Sequence, residues 1–221
     1  MPHKSLIMAG WQVRAIYNGA DVTRRLMNPQ PPGWCTEFGY TCFTPAGHIS
    51  FRGIYGEQGP AEKFFKLPCR KGDVLRVCEA WRARSEFDHL KPSRILWTPG
   101  DHSIRYEEHE RSVEQMGGWG RYRHARSMCK WMARLWLRVT EDPYPERVRD
   151  ITEAEAIREG VFYHDGHGVG HSGYRFSLDG CIFDRAVDAF HDGWNGIHGP
   201  DSWERDWDWR YAFERTEARQ C

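Results

Sequence analysis

The sequence lacks the usual means of stapling a small secreted fold. Its seven cysteines, Cys35, Cys42, Cys69, Cys78, Cys129, Cys181 and Cys221, are odd in number and contain no Cys-x-x-Cys pair. That pattern argues against a disulfide framework. Met1-Pro2-His3-Lys4-Ser5 has neither the apolar stretch nor the small-residue cleavage site of a signal peptide. No apolar run approaches the roughly 18 residues of a membrane span, so a membrane partner is not expected. These absences predict a cytoplasmic protein with reduced thiols. No segment repeats another, which argues against a solenoid or array. Lysine is missing between Lys4 and Lys63, and net charge is missing altogether, with 31 basic and 31 acidic residues.

The zero net charge conceals an asymmetry. From Glu141 onward there are 9 Lys and Arg against 18 Asp and Glu, which leaves 22 basic and 13 acidic residues before that point. A basic half followed by an acidic half is a hint of nucleic-acid contact. It is equally compatible with halves that interleave and cancel. Apolar content of 40% over 221 residues suffices for a core, and eleven tryptophans make that core aromatic.

Local patterns predict the elements. Lys4 to Met8 reads as a strand. Trp11 to Asn18 reads as a helix ended by Gly19. Pro29 to Gly33 must turn or extend, and residues 34–66 read as a loop-rich insertion with a hairpin. Gly72-Asp73 feeds a strand over Val74 to Trp81, which carries Glu79. Leu135, Leu137 and Val139 alternate with polar or larger neighbours, so 131–140 reads as a strand. Thr152 and Glu155 have capping-box spacing behind Ile151, and Gly160 ends the helix they open. Residues 163–174 read as a glycine-rich loop and Ile182 to Trp194 as a helix. Trp207, Trp209, Tyr211 and Phe213 alternate with Asp208, Arg210, Ala212 and Glu214, which predicts a half-buried strand. Cys78 and Cys129 read as small core residues. Strands at both ends with helices between them predict one α+β domain over residues 1–221, closed as a small barrel.

Three constellations have chemical content. No Asp or Glu lies between Glu114 and Glu141, a window that holds Arg121, Arg123, Arg126, Lys130, Arg134, Arg138 and His124. Trp119, Tyr122, Trp131 and Trp136 are interleaved with them. Cations track phosphates and aromatic faces stack bases, so Arg121, Arg123, Arg126 and Lys130 are candidate contacts, with Trp136 assigned to packing. Second, His164, His167 and His171 could ligate a metal, as could Cys35 and Cys42 with His48. Neither group has a matched set of partners, and no metal or other cofactor is expected. Third, Thr23-Arg24-Arg25 sets a hydroxyl beside two guanidinium forks, a grouping suited to a phosphate or a base edge. The same pair of arginines could equally close a helix C-terminus.

Read in order, these pieces resemble the ASCH domain group of the PUA-like superfamily, and within it a subgroup encoded in bacteriophages and prophages. The resemblance rests on Val13-Arg14-Ala15-Ile16 leading to Thr23-Arg24-Arg25, and on Pro29-Gln30-Pro31-Pro32-Gly33-Trp34. It continues through Gly72-Asp73-Val74-Leu75-Arg76-Val77 with Glu79 and Trp81, then Trp131, Ala133-Arg134 and Leu137-Arg138-Val139. Asp150-Ile151-Thr152 with Glu155-Ala156 and Glu159-Gly160, Trp194-Asn195, and Trp207-x-Trp209 before Phe213 complete it. Residues 34–66, 84–120 and 163–174 interrupt the match. The resemblance implies a small mixed β-barrel with flanking helices and a cleft for RNA or modified nucleosides. A phage protein of this kind would act in the host cell cytoplasm.

Some members of the group remove an acyl group from N4 of cytidine with a lysine, a threonine and a glutamate, an arginine standing beside them. The threonine corresponds to Thr23, the arginine to Arg25 and the glutamate to Glu159. The lysine corresponds to Ala20, which can neither act as a base nor activate a hydroxyl. The expectation is therefore a module that binds nucleic acid or a modified nucleoside without family hydrolysis. Its expected contacts are Thr23, Arg24, Arg25, Glu79, Arg121, Arg123, Arg126 and Lys130. Thr23 and Glu159 are catalytic only if the chain is an amidohydrolase. A phage protein-interaction module is the remaining alternative.

Overall fold

The computed structural model describes residues 4–31, 35–41, 50–55, 64–95, 104–106, 118–166, 170–177 and 180–217. Its first elements are β1 (Lys4–Ile7), α1 (Gly10–Tyr17), β2 (Val22–Leu26), β3 (Cys35–Thr41), β4 (Ser50–Tyr55), β5 (Phe64–Lys66) and β6 (Val74–Cys78). Next come β7 (Trp81–Ala83), β8 (Ile104–Tyr106), β9 (Trp136–Val139), β10 (Tyr144–Arg147) and α2 (Glu153–Arg158). The chain ends with β11 (Phe162–His164), β12 (Gly173–Arg175), α3 (Ala186–His198), α4 (Ser202–Arg205) and β13 (Trp207–Thr216). The fold is mixed α+β, as expected. Among the described residues none of the hydrogen-bonded strand paths returns on itself, so the expected closed barrel is not formed. No helix among them is long and apolar enough to cross a membrane.

The chain divides into two units, each built from separate stretches of sequence. Unit 1 comprises Met1–Gly19, Asp73–Arg138 and Glu214–Cys221. In it β1 runs parallel to β6, and β9 pairs antiparallel with the other edge of β6, setting Leu75 opposite Leu137. The expected strand over 131–140 is shorter than its pattern, because Lys130–Met132 forms a 3-10 turn. After Cys78 the chain leaves the β1–β6 ladder and enters β7. That strand pairs with β8 on one side and touches the 119–123 segment on the other through isolated bridges, Trp81 to Arg123 and Arg84 to Trp119. The inward side chains here, Cys78, Trp81, Ala83, Ile95, Ala125, Met128 and Met132, form an apolar cluster. Side chains one residue out of step on β7 face the other way, as strand geometry requires.

Unit 2 comprises Ala20–Gly72 and Val139–Phe213. Its central ladder is β10–β13–β2, antiparallel throughout. The segment expected to be a loop-rich insertion holds a three-stranded antiparallel sheet, β3–β4–β5. That sheet meets the aromatic side of β13 edge-on, with Phe38 4.7 Å from Trp207 and 5.4 Å from Phe65. The glycine-rich segment expected as loop is bracketed by a short hairpin, β11–β12.

Helix α2 begins where its capping box predicts. The Glu155 amide donates to the Thr152 hydroxyl at 3.2 Å, and the Thr152 amide donates to the Glu155 carboxylate at 3.1 Å. Helix α3 starts at Ala186 rather than 182, because Phe183 is bridged to Tyr174. The Glu153 carboxylate caps it, accepting the Ala186 amide at 2.8 Å.

Candidate functional site

Alternation along β2 decides what the Thr-Arg-Arg stretch can do. Arg24 lies directly opposite Arg210, while Thr23 lies opposite Tyr211 and Arg25 opposite Trp209. Arg24 therefore shares one sheet face with Asp208 and Arg210, and Thr23 and Arg25 share the other. Two guanidiniums side by side on one face repel each other and need counter-charge. Helix α2 supplies Glu155 and Glu159, β10 supplies Glu146, and β13 supplies Asp208.

The Arg24 guanidinium is wholly enclosed. It donates to Glu159, to Glu146 at 2.6 Å and to Glu155 at 3.4 Å, and its Nε lies 3.4 Å from Asp208. The Arg24 amide also donates to Glu159 at 3.0 Å. Arg210 pairs with Glu155 at 3.2 Å.

This layer holds two cations and four carboxyls, which would leave an excess of two negative charges if all were ionised. Burial opposes that. Burial pushes Asp208 well above the ordinary carboxyl range, and Arg24 offsets only part of the rise. Burial also raises Glu159 against the pull of Arg24. Of the two, Asp208 is the better proton carrier, since neither of its oxygens accepts a hydrogen bond whereas Glu159 accepts two from Arg24. Burial acts on Glu155 in the same sense, but the Thr152 amide and Arg24 outweigh it and hold Glu155 below its usual value. Burial would lower Arg24, yet the surrounding carboxylates raise it. At the half-open edge, Tyr144 donates to Glu146 at 3.1 Å, and burial pushes its hydroxyl up to about 12.

This arrangement corrects three expectations. Glu159 meets Arg24, not Thr23 and Arg25. Arg24 spends its fork on internal carboxylates and has none left for a phosphate. The strand 207–216 is buried on both faces from Trp207 to Phe213, because the charged layer covers the side expected to face solvent. On the opposite face Thr23 is 4% exposed and Arg25 is half-buried. The Arg25 charge reaches Tyr211 and His198 there. Ala20 opens this unit just after Gly19 and offers no titratable group.

Glu79 belongs to unit 1 and is also internal. Its side chain is 1% exposed, and Arg134 clamps it with two bonds of 2.8 Å. The same guanidinium lies 4.3 Å from the Tyr106 ring and 5.4 Å from that of Tyr17. A glutamate so held fixes the β6–β7 corner and has no oxygen to offer a base.

The basic window divides in two. Arg123 is buried, donates to the carbonyls of Leu90 at 3.1 Å and Phe87 at 3.0 Å, and stacks on Trp81. It is a loop anchor and not a backbone grip. Trp136 is buried, as its packing role requires. Arg138 pairs with Glu214 at 3.3 Å. The side chains of Arg121, Arg126 and Lys130, by contrast, are exposed, together with Tyr122 and Trp131. Among the described residues no carboxylate pairs with the side chains of Arg121, Arg126 or Lys130.

Among the described residues no group of three or more metal-ligating side chains converges. His164 accepts the Gly166 amide at 2.9 Å. His167, Cys42 and His48 lie outside the described residues. Cys35, Cys69, Cys78, Cys129 and Cys181 are free thiols, and Cys129 is only partly buried. The sequence offered no sign of Asp208, Glu146 or Arg210 as partners of Arg24, since 122 to 186 residues separate them from it. No family model, no curated protein and no solved structure matches the chain.

Proposed function

We propose that this chain is a nucleic-acid-binding module of the ASCH and PUA-like kind. Arg121, Arg126 and Lys130 grip the backbone of RNA or DNA. Thr23 and Arg25 take a base or modified nucleotide on their face of β2. The observation that carries the reading is the outward set of 121–131, three exposed cations with two exposed aromatic rings and no carboxylate in the same run. Exposed guanidinium and ammonium groups release counterions on binding phosphate, and exposed rings accept bases. Arg25 is only half-buried and stands on the face of β2 opposite the charged layer, beside Thr23, which makes it the candidate for the base site.

Titration of a labelled oligonucleotide at several salt concentrations tests this. Joint replacement of Arg126 and Lys130 by alanine is expected to shallow the salt dependence by about 1.4 in log–log slope on a single strand. Arg25→Ala is expected to weaken nucleoside capture. Wild-type affinity in both variants across the salt series would refute the proposal.

One observation favours a second reading, hydrolysis of an N4-acylated cytidine. Glu159 and Asp208 are buried carboxyls held above their ordinary range, a condition that suits proton donation. Turnover of N4-acetylcytidine by the wild type, lost in Glu159→Gln with the fold intact, would establish it. Activity appearing only in Ala20→Lys would support the binding role of the natural chain.

A further inference from the structure

The fold of unit 1 collects four sulfur side chains in its apolar cluster. Cys78 ends β6, while Met128, Cys129 and Met132 come from a distant stretch of the chain. Cys78, Met128 and Met132 are buried members of the cluster, and Cys129 packs against it partly buried. Two 3-10 turns, Ala125–Ser127 and Lys130–Met132, bracket Met128-Cys129. Nothing in the local sequence signals the set, because Cys78 joins it only on folding.

The backbone fixes both thioethers beside thiol-bearing residues. The Glu79 amide donates to the Met128 Sδ at 3.4 Å, which holds that sulfur at the residue after Cys78. The Cys129 amide donates to the Met132 Sδ at 3.3 Å, across a single turn. Core packing asks methionine for adaptable volume and sets no place for its sulfur. Here both sulfurs are placed. A thioether has two lone pairs, so one amide leaves the other for an ion.

The chemistry of the set selects the ion. Thiols and thioethers are soft donors and suit Cu(I). Among the described residues no three histidine, cysteine or carboxylate side chains converge, which excludes an ordinary zinc set. The neighbouring carboxylate, Glu79, is clamped by Arg134 through both oxygens. Unbalanced charge is costly in apolar surroundings. One Cu(I) with one thiolate and neutral thioethers carries no net charge, whereas a divalent ion with the same ligands does. Cys129 is the partly exposed thiol of the set, so it gives the ion an entry.

We infer that Met128, Cys129 and Met132, backed by Cys78, form a binding site for monovalent copper. On binding, the Cys129 thiol gives its proton to solvent and its sulfur bonds the ion, with no change in the oxidation state of copper. The inference is independent of the nucleic-acid reading above.

Anaerobic titration of the full chain with Cu(I), in competition with a chromophoric Cu(I) chelator, tests the site. Thermal melts of the metal-free proteins serve as the folding control. Wild type is expected to hold one tight equivalent and to melt at a higher temperature with it, as a ligand of the folded state does. Cys129→Ser is expected to weaken binding by about tenfold or more. Met128→Leu and Met132→Leu conserve volume and are each expected to weaken it severalfold while the fold is kept. Cys181→Ser, which removes an exposed thiol elsewhere, is expected to leave the tight equivalent in place. Full affinity in Cys129→Ser, or in the double variant Met128→Leu with Met132→Leu, overturns the inference. Loss of the tight equivalent in Cys181→Ser assigns it to a surface thiol and overturns the inference as well. If Zn(II) binds as tightly as Cu(I), the thioethers do not select the ion and the inference fails.

Discussion

Asp208 shows how one side chain sets the chemistry around it. Its carboxyl is fully enclosed and accepts no hydrogen bond, so ionising it in the folded state is costly. The unfolded chain ionises the same group near pH 4. Below that pH both states are protonated and the group contributes no pH dependence. Above it the unfolded chain binds fewer protons than the folded one, so stability falls as pH rises. The decline continues until the raised folded value is passed. Asp208→Asn removes the titrating group and keeps the shape. Urea melts between pH 4 and pH 8 are expected to show a smaller loss of stability in this variant than in the wild type. An unchanged slope would show that Asp208 is ionised in the fold. Glu159 differs, because it bonds Arg24 twice. Glu159→Ala removes two bonds to Arg24 but leaves that guanidinium with Glu146, Glu155 and Asp208, and equilibrium unfolding is expected to register a loss of about 1–3 kcal/mol.

Among the elements, α2 and α3 contrast local with distant information. The capping box of α2 was legible because Thr152 and Glu155 are three residues apart, and Thr152→Ala is expected to cost about 1 kcal/mol in chemical denaturation. The cap of α3 was not legible, because Glu153 is brought to Ala186 only by packing. Gly193 makes a sharper case. Helix propensity favours alanine over glycine by about 1 kcal/mol in a helix interior. Yet a Cβ at Gly193 would overlap the Phe176 ring. Overpacking of that kind costs roughly 1–3 kcal/mol, so Gly193→Ala is expected to lower the melting temperature. A rise would mean that Phe176 moves aside without penalty. The same division runs through the candidate site. Alternation in β13 was readable and placed the aromatic side correctly. The charged side was misread as solvent-facing because its neutralising carboxyls come from β10 and α2. The exposed cations of 121–130 were readable as a run, but the burial of Arg123 depends on strand pairing that local pattern does not encode.

At the scale of the whole molecule, folding keeps the charge asymmetry of the sequence instead of cancelling it. Unit 1 contains 17 basic and 11 acidic residues, and unit 2 contains 14 and 20. With no net charge overall, affinity for a polyanion must come from the basic unit and from local contacts on it. Their number can be read from salt dependence. Each phosphate neutralised on a single strand contributes about 0.7 to the log–log slope. Three contacts, from Arg121, Arg126 and Lys130, predict an affinity loss of about twentyfold between 50 mM and 200 mM salt. Joint replacement of Arg121, Arg126 and Lys130 by alanine removes these contacts and predicts a nearly flat salt dependence over the same range. Anisotropy titrations of both proteins measure the two slopes directly. A wild-type loss no steeper than that of the triple variant would mean that these three side chains touch no phosphate, and the backbone-gripping role assigned to them would have to be abandoned.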